Sequence, residues 1–421
     1  MFPSFMKSRA ARGLTLLYVS TLFAGVGWSM VLPIIPLFAD EFGVSNGLAV
    51  QVVTGFGIGR FLGTPLSGYV VDRFGSRLAL VGGPVLAASA ATVSAFTPWF
   101  GAIIVAAIFV GAGESMWAFG REIAGIDITS PSQRGRVLSG FHGVHGAGLA
   151  VGPLIGGIVA DTIGLRAVFV AFAIESVAAV LIGLTIANSR AQHRAVAEPR
   201  TPGAPSRLDP REWVRTLRWL ILQIRPELRT TYALLVYATF AGFLFRQGMQ
   251  GLLPIFADEE LGLSPTQIGL LFSFAGVIVL ALTYPAGLVI DKIGRKWATV
   301  PSTTLPGLAF LLLPFADSFV ILIPLVAAMG VANGLSLGSL ATSTYDVVPQ
   351  EVRGRLQAFR RTIADTAAIG APAIGGLLAH AYGPAVPFVV YAPIILLAGI
   401  LLMLFGKETI PKRMPQPETV N

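Results

Sequence analysis

The feature that most constrains this chain is a succession of apolar runs, each of about 20 residues or more and each followed by a short polar loop. They fall near residues 14–38, 47–71, 78–97, 99–128, 137–160, 165–187, 230–256, 266–290, 297–316, 319–345, 355–380 and 385–406. A run of that length crosses the hydrocarbon core as a helix, the open-ended structure in which the backbone satisfies its own polar groups. With 54% hydrophobic and only 12% charged residues, a soluble domain is excluded. The expected fold class is an all-α integral membrane protein with twelve transmembrane helices in two six-helix pseudo-symmetric bundles. Gly and Pro interrupt many of the runs, which spanning helices tolerate. The first run is too long for the apolar core of a signal peptide and is expected to remain as the first span. There is no cysteine, so disulfides and Cys-based metal sites do not arise, and four scattered histidines argue against a metal centre. No metal and no cofactor are expected.

The chain repeats itself at an interval of 219 residues. GYVVDRFGSR from Gly68 to Arg77 returns as GLVIDKIGRK from Gly287 to Lys296, Asp127 as Asp346, Arg134 to Arg136 as Arg353 to Arg355, and Ile155 to Gly157 as Ile374 to Gly376. FADE at Phe38 returns at Phe256, one residue out of register. A constant interval implies a duplicated unit, and the shared sense of the copies implies parallel repeats with an even number of spans each. The expected organisation is an N-terminal bundle over 1–187, a basic linker over 188–229, a C-terminal bundle over 230–406 and a tail over 407–421.

Basic residues mark alternate loops. Lys7, Arg9 and Arg12 precede the first span, and Arg73, Arg77, Arg134, Arg136, Lys292, Arg295, Lys296, Arg353, Arg355, Lys407, Lys412 and Arg413 follow on the same side; the opposite loops contain only Arg166. The positive-inside rule places both termini in the cytoplasm of a multi-pass cell-membrane protein. The net charge of +8 is therefore a signal of topology, and no nucleic-acid partner is expected. In the linker, Trp213, Leu217, Leu220, Ile221 and Ile224 share one helical face and Arg211, Arg215 and Arg218 lie elsewhere. That pattern reads as an amphipathic helix on the anionic inner leaflet, with membrane lipid as its partner, or as a plain basic tether.

The two motif copies resemble the loop motif of the major facilitator superfamily: a glycine, three variable residues, an aspartate, a basic residue, a variable residue, a glycine and two basic residues. Gly287, Asp291, Lys292, Gly294, Arg295 and Lys296 fit it fully; Gly68, Asp72, Arg73, Gly75 and Arg77 fit with Ser76 in place of one basic residue. The resemblance implies a gating latch in which Asp72, Arg77 and Asp127 hold the second, fourth and eleventh helices together in the outward-open state. Asp291, Lys296 and Asp346 would be its second-half equivalent. The simpler reading is that these charges cap helices and set topology. In the fifth span, GLAVGPLIGG is similar to the glycine-proline motif of the superfamily's antiporter branch. Gly148, Gly152 and Gly156 form a small-residue stripe, Pro153 kinks the helix and Gly157 follows, so that another helix can approach and seal a leak; plain packing is the alternative. Two departures stand beside this. No arginine precedes Gly111 and Gly113 in the fourth span, and the first span has no acidic residue.

Charge inside a membrane is costly and marks function. Arg60 lies 12 residues before Asp72 and Glu114 lies 13 before Asp127. At about 1.5 Å per residue both sit roughly 18–20 Å from the same membrane face, and an Arg60–Glu114 pair near the midplane is expected. Asp365 is the second-half proton candidate, paired with Arg361 one turn earlier or facing Arg246, which is a counter-charge or substrate contact. His142 and His145 read as polar packing before they read as a proton relay. Trp28, Trp117, Phe119, Phe243 and Phe245 can line an amphipathic cavity or face lipid.

No G-x-x-x-x-G-K-S or G-x-x-x-x-G-K-T phosphate loop occurs, so a secondary transporter working by alternating access is expected, and not an enzyme. Resemblance to the drug:proton antiporter branch implies proton-coupled efflux of small amphipathic compounds. The alternative is uptake of a polar or anionic solute such as a sugar or organic acid, favoured by Arg60, Arg121 and Arg246. The partners expected are a small-molecule substrate, protons and lipid, with the chain acting as a monomer.

Overall fold

The computed structural model describes residues 9–129, 134–186 and 210–409, and these residues form helices with no strand. In chain order the helices are α1 (Arg9–Ser29), α2 (Ile35–Phe42), α3 (Asn46–Ala49), α4 (Gln51–Phe74), α5 (Ser76–Phe96), α6 (Phe100–Asp127), α7 (Arg134–Thr162) and α8 (Leu165–Thr185). After α9 (Pro210–Leu222) come α10 (Arg229–Glu259), α11 (Pro265–Leu288), α12 (Arg295–Leu312), α13 (Phe319–Val347), α14 (Arg353–Tyr382) and α15 (Val386–Phe405). Eleven helical segments among the described residues are long and apolar enough to cross a membrane. The helix that falls short is α4, which is 24 residues long. Its five glycines, Gln51, Arg60, Asp72 and Arg73 lower its hydropathy, because much of it faces protein rather than lipid.

The first span is not one helix. Pro33 and Pro36 interrupt the backbone ladder, a 3₁₀ turn covers Leu32–Ile34, and α2 continues the path. At the end of α11 the chain widens into a π turn over Val289–Ile293. The corresponding end of α4 keeps the α pattern, with Gly75 N–H donating to Val71 O at 2.8 Å. Gly75 turns the chain at φ 89°, a conformation that disfavours any side chain.

Helices α1 to α8 pack on one another, as do α10 to α15, and the two groups meet along two seams, α4 against α14 and α7 against α11. Both seams are tight at one end of the molecule, here called the outer end. There Gln51 Nε2 donates to Ala373 O at 3.4 Å, Asn46 hydrogen-bonds Glu259, and Gly47 meets the backbone of Gly376. In the other seam Leu154 N–H donates to Ser273 Oγ at 3.1 Å and Thr266 N–H to Asp161 Oδ2 at 2.9 Å. Toward the end that carries the repeated motifs the seams part. A side chain added at Gly68, Gly287 or Gly354 would meet nothing within 4 Å, and Tyr69 is 56% exposed. The structure is closed at the outer end and open at the motif end.

Part of the apolar face of α9 is covered by protein. Leu220 and Ile224 are buried in the hydrophobic core, while Arg215, Arg218 and Trp219 are exposed. Part of the face expected to lie on lipid therefore rests on protein, with α14 as a neighbour, while Leu217 and Ile221 are only half-buried. The linker residues 188–209 and the tail from 410 lie outside the described residues.

Candidate functional site

Between the halves, about midway along α4, α10 and α14, charged side chains converge. Arg246 in α10 and Arg361 in α14 lie over the Phe243 ring, at 4.7 and 4.9 Å from its centroid. Arg246 Nη1 also donates to Ser336 Oγ at 3.2 Å and Asn333 Oδ1 at 3.4 Å, both on α13. Asp365 pairs with Arg361 at 3.0 Å, the neighbour one turn earlier on α14. From the other half Arg60 rests near the Phe56 ring, 5.9 Å from its centroid, and feels the charges of Arg361 across the gap, of Glu114 in its own half and of Asp365 across the gap. Phe56 in turn stacks on Trp28, with centroids 3.9 Å apart and planes 5° off parallel.

The expected Arg60–Glu114 ion pair is not formed. Helix α6 presents Gly111 to the backbone of Phe56 and Arg60, and Ser115 Oγ donates to Arg60 O at 3.0 Å. Glu114 stands one residue earlier, about 100° round the helix, and points into the first half. There it is 8% exposed, with Oε1 lacking a hydrogen-bond partner. Arg121 is its first electrostatic neighbour and Arg60 only its second. Arg121 is itself buried, over the Trp117 ring at 5.3 Å, and feels Glu114, Glu122 and Glu175. Glu175 lies against Gly27 of α1 with neither carboxylate oxygen hydrogen-bonded. Glu114, Arg121 and Glu175 therefore form a buried polar group inside the first half, a grouping that their positions on α6 and α8 did not reveal in the sequence. His145 borders it with a buried, unpartnered Nδ1, and His142 Nδ1 lies 2.8 Å from Leu138 O. Trp28, Trp117 and Phe245 are core residues; Phe119 is 36% exposed.

The two motif copies differ. In the second, Arg295 pairs with Asp291 at 2.7 Å and with Asp346 at 3.0 Å, joining the ends of α11, α12 and α13. Arg295 therefore takes the place expected of Lys296. The N–H groups of Arg295 and Lys296 donate to Glu408 at 2.9 and 3.1 Å, so a carboxylate just past α15 caps α12. In the first copy Ser76 occupies the position of Arg295, 219 residues earlier. There Arg77 Nη2 donates to Leu184 O at 2.7 Å, Asp72 is exposed without an ion pair among the described residues, and Asp127 Oδ2 is buried without a hydrogen bond. The Asp72–Arg77–Asp127 latch, expected of the outward-open state, is not assembled in this one. Arg73 is exposed with its guanidinium near the Phe74 ring at 5.8 Å, and Lys292 is exposed in the π turn.

The glycines of α7 serve two partners. Gly148 and Gly152 face the backbone of α1 at Gly25 and Val26, and Gly156 that of Met30 just past its end, inside the first half. Pro153 and Gly157 face α11 instead, where the Pro153 carbonyl meets Gly269 and Gly157 meets the carbonyl of Pro265. The seam between halves is thus closed by Pro153 and Gly157, while the small-residue stripe packs on α1.

The whole molecule resembles solved transporters. A peptide transporter POT mutant in complex with sulfate superposes with a TM-score of 0.75 at 13% identity, covering 93% of this chain and 94% of that one. A POT family transporter in complex with 5-aminolevulinic acid gives 0.74 at 11% identity, covering 94% and 96%. Among curated proteins, the tetracycline resistance protein, class C, of Escherichia coli is 25% identical over 354 residues, 83% of this chain and 85% of that one. The multidrug resistance protein MdtG of Enterobacter lignolyticus is 24% identical over 435 residues, covering 96% and 94%. The sequence model of the Major Facilitator Superfamily matches residues 17–259 and again 235–420, two overlapping stretches that between them cover both halves. Helical halves, paired seams, duplicated loop motif and this match over both halves agree: the chain is a multi-pass membrane transporter of the Major Facilitator Superfamily.

Proposed function

We propose that this chain exports small amphipathic compounds in exchange for protons, by alternating access between its two halves, with both termini in the cytoplasm. The observation that carries the reading is the asymmetry of the seams: α4–α14 and α7–α11 are sealed at the outer end and parted at the motif end. Rocking the halves about the centre would exchange the two ends' accessibility. Similarity to resistance proteins over nearly the full length supports export as the direction.

Glu114 is the proton carrier in this reading. It is a carboxyl in a largely apolar interior with one oxygen free of hydrogen bonds, next to Arg121 and within reach of Arg60 on the cavity wall. A proton gained or lost there changes the charge balance felt across the gap. Asp365, tied to Arg361, is the partner group in the second half.

The test is accumulation of amphipathic fluorescent dyes, of several charges, in bacterial cells lacking their own exporters. The wild-type chain should lower accumulation, and a protonophore should abolish the effect. Glu114→Gln should flatten the pH dependence of export while leaving the protein in the membrane. Cells indistinguishable from empty controls across the panel would exclude export.

A further inference from the structure

Three guanidinium groups, from three helices and both halves, share the central gap. Arg246 and Arg361 lie over one ring, Phe243, at 4.7 and 4.9 Å. Arg60 faces Arg361 from the other half, and Arg361 and Arg246 feel each other's charge, as Arg246 also feels Arg360. Among the described residues the cluster contains one ion pair, Arg361–Asp365. Arg246 is held by neutral oxygens of Asn333 and Ser336. Arg360 is turned away, onto Gln357 and Thr239. The next carboxylate, Glu114, is directed into the first half toward Arg121.

Three cations share one ion-paired carboxylate, Asp365, with Glu114 acting on Arg60 from inside the first half, and in a region flanked by apolar helices that is an expensive arrangement to hold. It is also specific in chemistry. A guanidinium presents a planar fork of donors that fits carboxylate, sulfonate or phosphonate oxygens, and two forks on one aromatic face leave an apolar floor between them. Asn333 stands 219 residues after Glu114, so the repeat has a neutral amide in the second half where it has a carboxylate in the first. That substitution leaves Arg246 without a charged partner on α13, free to bind an anion.

We propose that the compounds this transporter carries are organic anions, the acidic head held between Arg246 and Arg361 with Arg60 closing from the other half, and the apolar body against Phe243. The inference rests on the reading of the central gap as the substrate site. It adds a role to the bound compound: its negative charge offsets the repulsion between Arg60 and Arg361 as the halves approach, so occupied carriers close more readily than empty ones.

The test uses the full chain in lipid nanodiscs and three ligands that share one body: naphthylacetate, its methyl ester and naphthylmethylammonium. Equilibrium binding of the anion should be about tenfold tighter than that of the ester, the difference expected of one charge-assisted contact, with the cation weakest. Arg246→Gln and Arg361→Gln should each remove that preference. Asp365→Asn should tighten the anion, since it frees Arg361 and removes the competing carboxylate, whereas loss of a merely structural ion pair would loosen it. Absence of anion preference, or anion binding that survives both arginine variants, overturns the inference. Binding reports neither direction nor proton coupling: anion preference in a chain that fails to lower dye accumulation would sink the export reading and leave this one standing.

Discussion

Arg295 ties three helices together through one guanidinium, 2.7 Å from Asp291 and 3.0 Å from Asp346. It is 13% exposed and Asp346 18%, so the pair with Asp346 is shielded more than a surface bridge, while Asp291 at 72% is solvated and contributes less. Arg295→Ser, which copies the first-half residue, should cost about 2 kcal/mol of stability, read as a lower midpoint of thermal unfolding in detergent. An unchanged midpoint would show that the clamp contributes nothing. The existence of the motif was legible in the sequence, as was the irregularity at Ser76. Which of two adjacent basic residues makes the bridge was not, because a helix start rotates neighbours by about 100° and only the fold says which one faces inward. The same rotation explains Glu114: its depth could be read from residue counts, but its direction, closer to Arg121 than to Arg60, depends on which face of α6 lies on α4. Asp365 was readable, since a partner one turn away on the same helix needs no tertiary knowledge.

Helix α7 shows how one element serves two neighbours. Its stripe of Gly148, Gly152 and Gly156 lies on α1 and on Met30 just past its end, and Pro153 with Gly157, a quarter turn or so away, lies on α11. A helical period lets one sequence address both, which is why the glycine-proline pattern was visible but its division of labour was not. Gly157→Val puts methyl groups against the Pro265 carbonyl, an overpacking of about 1–3 kcal/mol that falls on the closed outer seam. It should shift the carrier toward its outward-open form, detected as faster labelling of a single cysteine placed at the outer end of the gap. A cysteine-free chain makes that measurement clean, since no native thiol competes. Gly152→Val, within the first half, should instead lower expression and stability without changing the labelling rate of the folded fraction. Helix α9 was recognisable as amphipathic, but amphipathicity alone cannot tell a lipid surface from a protein one.

At the scale of the molecule, the repeat, the alternate basic loops and the long apolar runs were enough to anticipate an all-helical transporter with two related halves. The conformational state was not readable, because the same sequence must support both ends of the cycle. In the proposed cycle the two halves pivot, so that the ends of the gap open in alternation about the arginine cluster. The direct measurement is distance distributions between spin labels on introduced cysteines, one pair at Leu48 and Tyr382 at the outer end and one at Tyr69 and Gly354 at the motif end. All four positions are open to labelling in this structure. On changing pH or adding naphthylacetate, opposite movements are expected: the motif-end pair shortens in the same fraction of molecules in which the outer pair lengthens. Pairs that move together, or a motif-end pair that stays fixed while transport proceeds, would contradict the proposed cycle.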